Sequence, residues 1–391
     1  MDRTRTATSA SVERRSELDA LRAFVVLGLV FFHAGLVFDT EDDFYVKNAE
    51  TTGAVRILSG FGVVWAMPML FLAAGLGAWY SMRRRGPGGF AVERLRRLGV
   101  PLLFALVTLI PIPQWLRLRA ADPGYDESYL EFLPRFFDVR LDLADFPFVV
   151  EGEHFETGHL WFVVLLLTFS LLLAPVARWL PAERLAAATR WRGAVLLPAV
   201  LIAVLTALLG MEEAFAGWSR WAYLLFFLCG FALAADGRFR AAMRRDAVLA
   251  AVLGLVLFVA VVPGMTMAEE PFTEMTPLAI GTRLAFGAAG WCWVVAILGL
   301  LDRRRGPAPP AVDRPPGLVK RGYAYVGPAV LPLYVLHQPI VVVVAYFVVR
   351  WDAPMLAKYA AIVAISLVAL FTSYDLLIRR TRVTRSLFGM R

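Results

Sequence analysis

The chain has 391 residues and a net charge of +8, and its composition is 59% hydrophobic and only 18% charged. Soluble domains lie nearer a quarter charged, so this composition, with a mean hydropathy of +0.63, points away from a soluble protein. The expectation is an all-α, polytopic integral membrane bundle. The basic surplus follows the order of the apolar segments, so no nucleic-acid partner is expected.

In chain order, residues 1–17 form a polar tail with Arg3, Arg5, Arg14 and Arg15. The apolar segment 18–38 is too long for a signal-peptide core and reads as an uncleaved anchor. It contains two ionisable residues, Arg22 and His33. Such groups are costly at membrane depth and usually mark a functional site. Eleven residues make just over three helical turns, so both side chains share one stripe, about 16 Å apart along the axis. Arg22 then lies at one water interface and His33 near mid-bilayer.

Further apolar segments at 57–80, 98–113, 159–178, 194–210, 218–235, 247–263, 278–301, 328–349 and 355–378 reach or nearly reach spanning length. The segments 98–113 and 194–210 are the shortest. All are continuous apolar runs without the two-residue alternation of strands. Arginine and lysine cluster in alternate connections, at 83–97, 178–192, 238–245, 303–321 and 379–391. Carboxylates occupy the others, at 39–43, 212–213 and 269–274. The positive-inside rule then gives about ten transmembrane helices with both termini cytoplasmic, in one domain over 18–378. The connection 114–158 carries more aromatics than a linker needs and is expected to fold over the outer mouth. The Pro- and Arg-rich stretch 302–322 is expected to be a flexible inner linker, and 379–391 a basic cytoplasmic tail. Cys229 and Cys292 read as small buried hydrophobes.

Five local patterns recur in order along these segments. They are Glu17-Leu18-Asp19-Ala20-Leu21-Arg22 with His33; Met67-Pro68-Met69-Leu70-Phe71; Glu93-Arg94-Leu95-Arg96-Arg97-Leu98 through Pro101; Gly158-His159-Leu160-Trp161-Phe162; and Tyr334-Val335-Leu336-His337-Gln338-Pro339. The set resembles the acyltransferase-3 family of membrane enzymes, over nearly the whole chain. The flavour is that of the branch with glucan-modifying succinyltransferase-like proteins. The resemblance implies transfer of an acetyl- or succinyl-type group to a hydroxyl of an extracytoplasmic or membrane-bound glycan, glycolipid or related acceptor. It also implies acyl-CoA as donor co-substrate, with no bound cofactor, in the cytoplasmic membrane.

Such a transfer needs a base for the hydroxyl proton, donors for the developing oxyanion and a site that excludes water. Imidazole titrates in the right range, so His33 is the candidate general base; its bland alternative is a helix-packing histidine. Arg94 and Arg97, at i and i+3, share a helix face. Guanidinium groups bind phosphate well, so these two, with Arg22, are candidates to hold the donor's phosphates. Inner-face arginines are expected on topological grounds as well, and Arg22 has a rival role in an ion pair with Asp375, unless Asp375 pairs with Arg379. His159 and Trp161 are candidates for acceptor binding or for a membrane-belt anchor. Glu156, three residues earlier, is a candidate partner for His159. His337 precedes Pro339, whose bend could aim it into a cavity. His154 is expected to be solvated. No metal motif, phosphate-binding glycine loop or nucleophile elbow is present. The reading from another class is a transporter or flippase, which would favour internal repeats and broken helices; no repeat is evident.

Overall fold

The computed structural model describes residues 16–180, 182–303 and 318–390. Most of the N-terminal tail and of the linker 302–322 lies outside these. Among the described residues, eight helices are long and apolar enough to cross a membrane, and the protein is an all-α, multi-pass membrane bundle.

Helix α1 (Ser16–Leu36) is followed by α2 (Ala54–Arg94), which is broken at Gly86 (φ 71°, ψ 170°) ahead of Pro87. Only glycine takes that backbone readily. The chain runs on through a wide five-residue turn, Leu95–Gly99, into α3 (Val100–Thr108). The expected segments 57–80 and 98–113 therefore lie in one helical stretch, Ser59–Ala121. Next come α4 (Pro111–Ala121), α5 (Tyr129–Phe136) and a two-stranded ribbon, β1 (Arg140–Leu141) with β2 (Val150–Glu151). Helices α6 (Trp161–Val176) and α7 (Ala182–Ala188) precede α8 (Pro198–Leu209), which is shorter than a full span. The remainder is α9 (Arg220–Ala235), α10 (Gly237–Met267), α11 (Pro277–Arg303), α12 (Leu318–Val348), α13 (Met355–Ser373) and the short α14 (Arg382–Leu387). Eight full-length helices thus stand where ten segments were expected: two share one bent stretch, and 194–210 forms only a short helix.

Lipid supplies no hydrophobic drive between helices, so close approach of small residues holds them together. A Cβ on Gly75 would lie 2.0 Å from the Phe227 carbonyl oxygen, and one on Gly230 would lie 2.0 Å from that of Leu72. The backbones of α2 and α9 therefore touch at a reciprocal glycine contact. On the neighbouring pair, Gly264 of α10 admits Thr282 of α11, and Gly299 of α11 meets the Met243 carbonyl.

The connection 114–158 is folded, as its aromatics suggested. Ser128 and Glu131 form a reciprocal capping box at the start of α5, and Phe132 and Phe136 are fully buried. The loop 37–53 is equally ordered. Lys47 Nζ donates to the carbonyls of Leu36 (2.9 Å) and Asp42 (2.8 Å), and Lys358 Nζ donates to Asn48 Oδ1 (3.1 Å). These bonds hold Phe44 stacked on the His33 ring, with centroids 5.7 Å apart.

Candidate active site

Three imidazoles from distant parts of the chain meet in an apolar cavity of about 620 Å³. His33 comes from α1, His159 from the tight turn entering α6, and His337 from the middle of α12. The ring centroid of His337 lies 5.1 Å from that of His33 and 4.8 Å from that of His159. His337 is completely buried.

Two of these rings are held by carbonyls of α12, one of them freed by a proline. Pro339 has no N–H, so the carbonyl of Val335 one turn earlier lacks its helical donor. His159 Nε2 fills the vacancy at 3.0 Å. A carbonyl only accepts, so Nε2 carries the proton and Nδ1 keeps a lone pair. His337 Nδ1 lies 2.5 Å from the Tyr334 carbonyl, which by the same logic leaves Nε2 as its lone pair. Both lone-pair nitrogens, and Nδ1 of His33, are buried without a hydrogen-bond partner. Buried polar atoms normally have partners, so three bare imidazole nitrogens in one cavity are a departure from ordinary packing. The backbone N–H of His159 donates to Gln338 Oε1 at 2.9 Å, and the Tyr334 hydroxyl donates to the His159 carbonyl. The start of α6 is thereby latched to α12. Trp65 lines the same cavity, and its indole N–H is also without a partner.

A second cavity, of about 970 Å³, is lined by Arg22, Arg83, Arg84, Arg85, Arg94 and Arg97, against the carboxylates of Asp19 and Glu93. Arg22 pairs with Asp19 at 3.4 Å and donates to the Ala73 carbonyl. Arg85 and Arg97 approach Glu93 at 3.7 and 3.6 Å. Arg94 stacks on Phe90, 4.9 Å from the ring centroid, and its Nε is buried without a partner. The wide turn at Leu95–Gly99 intervenes between Arg94 and Arg97, yet both face this space. The surplus of guanidinium groups suits a ligand with several phosphates. The rival pairing of Arg22 with Asp375 is not made: Asp375 binds Arg379 at 2.8 Å.

Helix α1 serves both cavities, Arg22 in one and His33 in the other, as their shared stripe implies. One side chain, Tyr334, lines both.

A third, polar groove of about 880 Å³ lies between the folded segment 135–157 and Phe215. Glu156 lines it, but not as a partner for His159. Its carboxylate accepts from the Tyr45 hydroxyl, so in place of the candidate Glu156–His159 pair stands one that ties the 37–53 loop down. Burial outweighs that bond and the nearby Arg117, and raises the Glu156 pKa above the ordinary carboxylate value. Trp161 lines the histidine cavity and stacks on Tyr223 with centroids 5.4 Å apart. His154 is not simply solvated: its ring contacts Arg135 at 2.8 Å. Among the described residues no group of three or more His, Cys, Asp and Glu is placed to hold a metal ion. Sequence reasoning did not single out Tyr334 or Phe44. Tyr334 stood inside a quoted pattern; Phe44 lies in an acidic loop, where nothing local signals contact with His33.

A family profile described as an acyltransferase domain, Acyl_transf_3, matches residues 15–375. Among curated proteins, the chain is similar to glucans biosynthesis protein C of Salmonella gallinarum, 22% identical over 183 residues, covering 45% of this chain and 42% of that protein. It is likewise similar to glucans biosynthesis protein C of Escherichia coli O6:K15:H31, 26% identical over 160 residues, covering 41% of this chain and 38% of that one. The chain thus spans about two fifths of the length of these relatives. No solved structure matches significantly.

Proposed function

The chain belongs to the acyltransferase-3 family and is an acyltransferase; on that premise we propose that it moves an acyl group from acyl-CoA to a hydroxyl of a glycan or glycolipid, with His33 as general base. The observation that carries this reading is the pairing, along α1, of an arginine cavity with a cavity holding three unpartnered imidazole nitrogens. The protein sits in the cytoplasmic membrane with the arginine cavity facing the cytoplasm, where acyl-CoA is made.

Arg22, Arg94 and Arg97 hold the donor's phosphates, and the thioester arm extends toward His33. The acceptor reaches the histidine cavity from the polar groove, whose aromatic and polar lining (Phe155, Phe215, Glu153, Thr157) suits a sugar. Trp161 and His159 position it. His33 takes the proton of the acceptor hydroxyl as its oxygen attacks the thioester carbonyl. The C–O bond forms, the C–S bond breaks, and the proton passes to the departing thiolate to give free CoA. The indole N–H of Trp65 is the available donor for the developing oxyanion. His337, with its Nε2 bare and its ring 5.1 Å from that of His33, assists the proton's passage.

The similarity to glucans biosynthesis protein C favours a glucan acceptor. The test is incubation of the purified protein with labelled succinyl- or acetyl-CoA and a glucan oligosaccharide. Release of CoA with label on the glycan is expected. A transporter would give neither, and their absence under all donors would overturn the proposal.

A further inference from the structure

The two cavities meet at one ring. Tyr334 is 3% exposed and lines both the arginine cavity and the histidine cavity. Phe162, on the arginine side, packs its ring edge against the Tyr334 ring with centroids 5.4 Å apart. On the other side, His159 and His337 lie 5.4 and 5.5 Å from it. The ring is held from its far end by the hydroxyl, which donates to the His159 carbonyl, and Pro332 and Pro339 flank it in the sequence.

We propose that Tyr334 is the specificity-determining partition of this acyltransferase: its ring closes the passage between the two cavities to water and yields only to an acyl thioester arm. This rests on the donor and acceptor assignments proposed above. The need for a partition follows from the chemistry. His33 would activate water as readily as a sugar hydroxyl. Water would then attack the thioester carbonyl, the C–S bond would break, the new C–O bond would give a free carboxylic acid, and the proton would pass through His33 to the thiolate. A wide passage filled with water from the arginine cavity delivers that competitor along with the donor; a passage sealed by an aromatic ring does not. The ring's size also sets how bulky an acyl group can pass.

The experiment compares the purified wild type with Tyr334→Ala, Tyr334→Leu and Tyr334→Phe, using acetyl-CoA as probe. CoA release is followed with a thiol dye, with and without a glucan oligosaccharide. Tyr334→Ala is expected to raise acceptor-free hydrolysis by about tenfold or more relative to transfer. Tyr334→Leu, a milder change that keeps an apolar bulk, should show a smaller rise, and Tyr334→Phe the least, because it retains the ring. The rise should vanish when His33→Ala is added. If folded Tyr334→Ala or Tyr334→Leu keeps the wild-type ratio of hydrolysis to transfer, the partition is overturned while the transferase reading stands. If the wild type itself transfers nothing and releases no CoA with either acetyl-CoA or succinyl-CoA, the transferase reading fails and the partition with it.

Discussion

The ring of His159 donates to the carbonyl of Val335 at 3.0 Å, a carbonyl that Pro339 leaves without a helical partner. A proline that would normally weaken a helix here orients a histidine. The bond also fixes which nitrogen of His159 is free to accept a proton, because the other must carry the hydrogen. The site's geometry depends on this exchange between α12 and the start of α6.

Replacing Pro339 with alanine restores an N–H that competes for the Val335 carbonyl. The helix gains a bond and the His159 ring loses its anchor. Thermal stability should stay level or rise, while transfer should fall about tenfold, the effect expected when a positioned catalytic group is loosened. Melting curves and transfer rates on one preparation check both; a fall in both together would contradict the anchor.

His33→Ala should remove about 10²–10⁴-fold of the transfer rate, the usual contribution of a general base. The protein should remain folded, because His33 Nδ1 makes no hydrogen bond that is lost. Monodisperse elution with undetectable label transfer is the expected result; full activity would leave the base to His337 or His159.

Arg94→Ala and Arg97→Ala should raise KM for acyl-CoA about tenfold or more each, in line with one lost charge-assisted hydrogen bond. The rate at saturation should change less. Arg94→Lys should recover only part of the loss, because a lysine cannot reproduce the planar guanidinium that stacks on Phe90. Steady-state kinetics with acyl-CoA as the varied substrate decide the split.

Glu156 makes stability depend on pH. Its folded pKa is raised, mainly by burial, so the folded protein holds a proton that the unfolded chain releases earlier. Stability from this group is full below the ordinary carboxylate pKa and declines as pH rises toward the raised value. Glu156→Gln cannot titrate, so it should gain in melting temperature relative to wild type as pH rises through that window. A difference that stays constant with pH would show that Glu156 titrates normally.

Gly230→Ala should lower stability by about 1–3 kcal/mol, the common cost of overpacking. The added methyl would meet the Leu72 carbonyl oxygen at 2.0 Å, and helices α2 and α9 would have to part. The melting temperature in detergent measures it.

Much of this protein follows from its sequence alone. Apolar runs and the helical period establish the membrane class, most of the helices, and the common stripe of Arg22 and His33, because these depend only on near neighbours in the chain. The spacing of Arg94 and Arg97 put them on one helix face, and they line one cavity despite a turn that periodicity could not foresee. The packing decided the rest. His33, His159 and His337 lie far apart in the sequence, and only the crossing of α1, α6 and α12 brings the His33 and His159 rings each within about 5 Å of the His337 ring. Glu156 could look to His159 by spacing, but it binds Tyr45, because the 37–53 loop is pinned above it. Hydropathy treats Tyr334 as one more aromatic in an apolar helix. Its place between two cavities depends on what the other helices leave empty, and empty space is a property of the assembled bundle, not of any one segment.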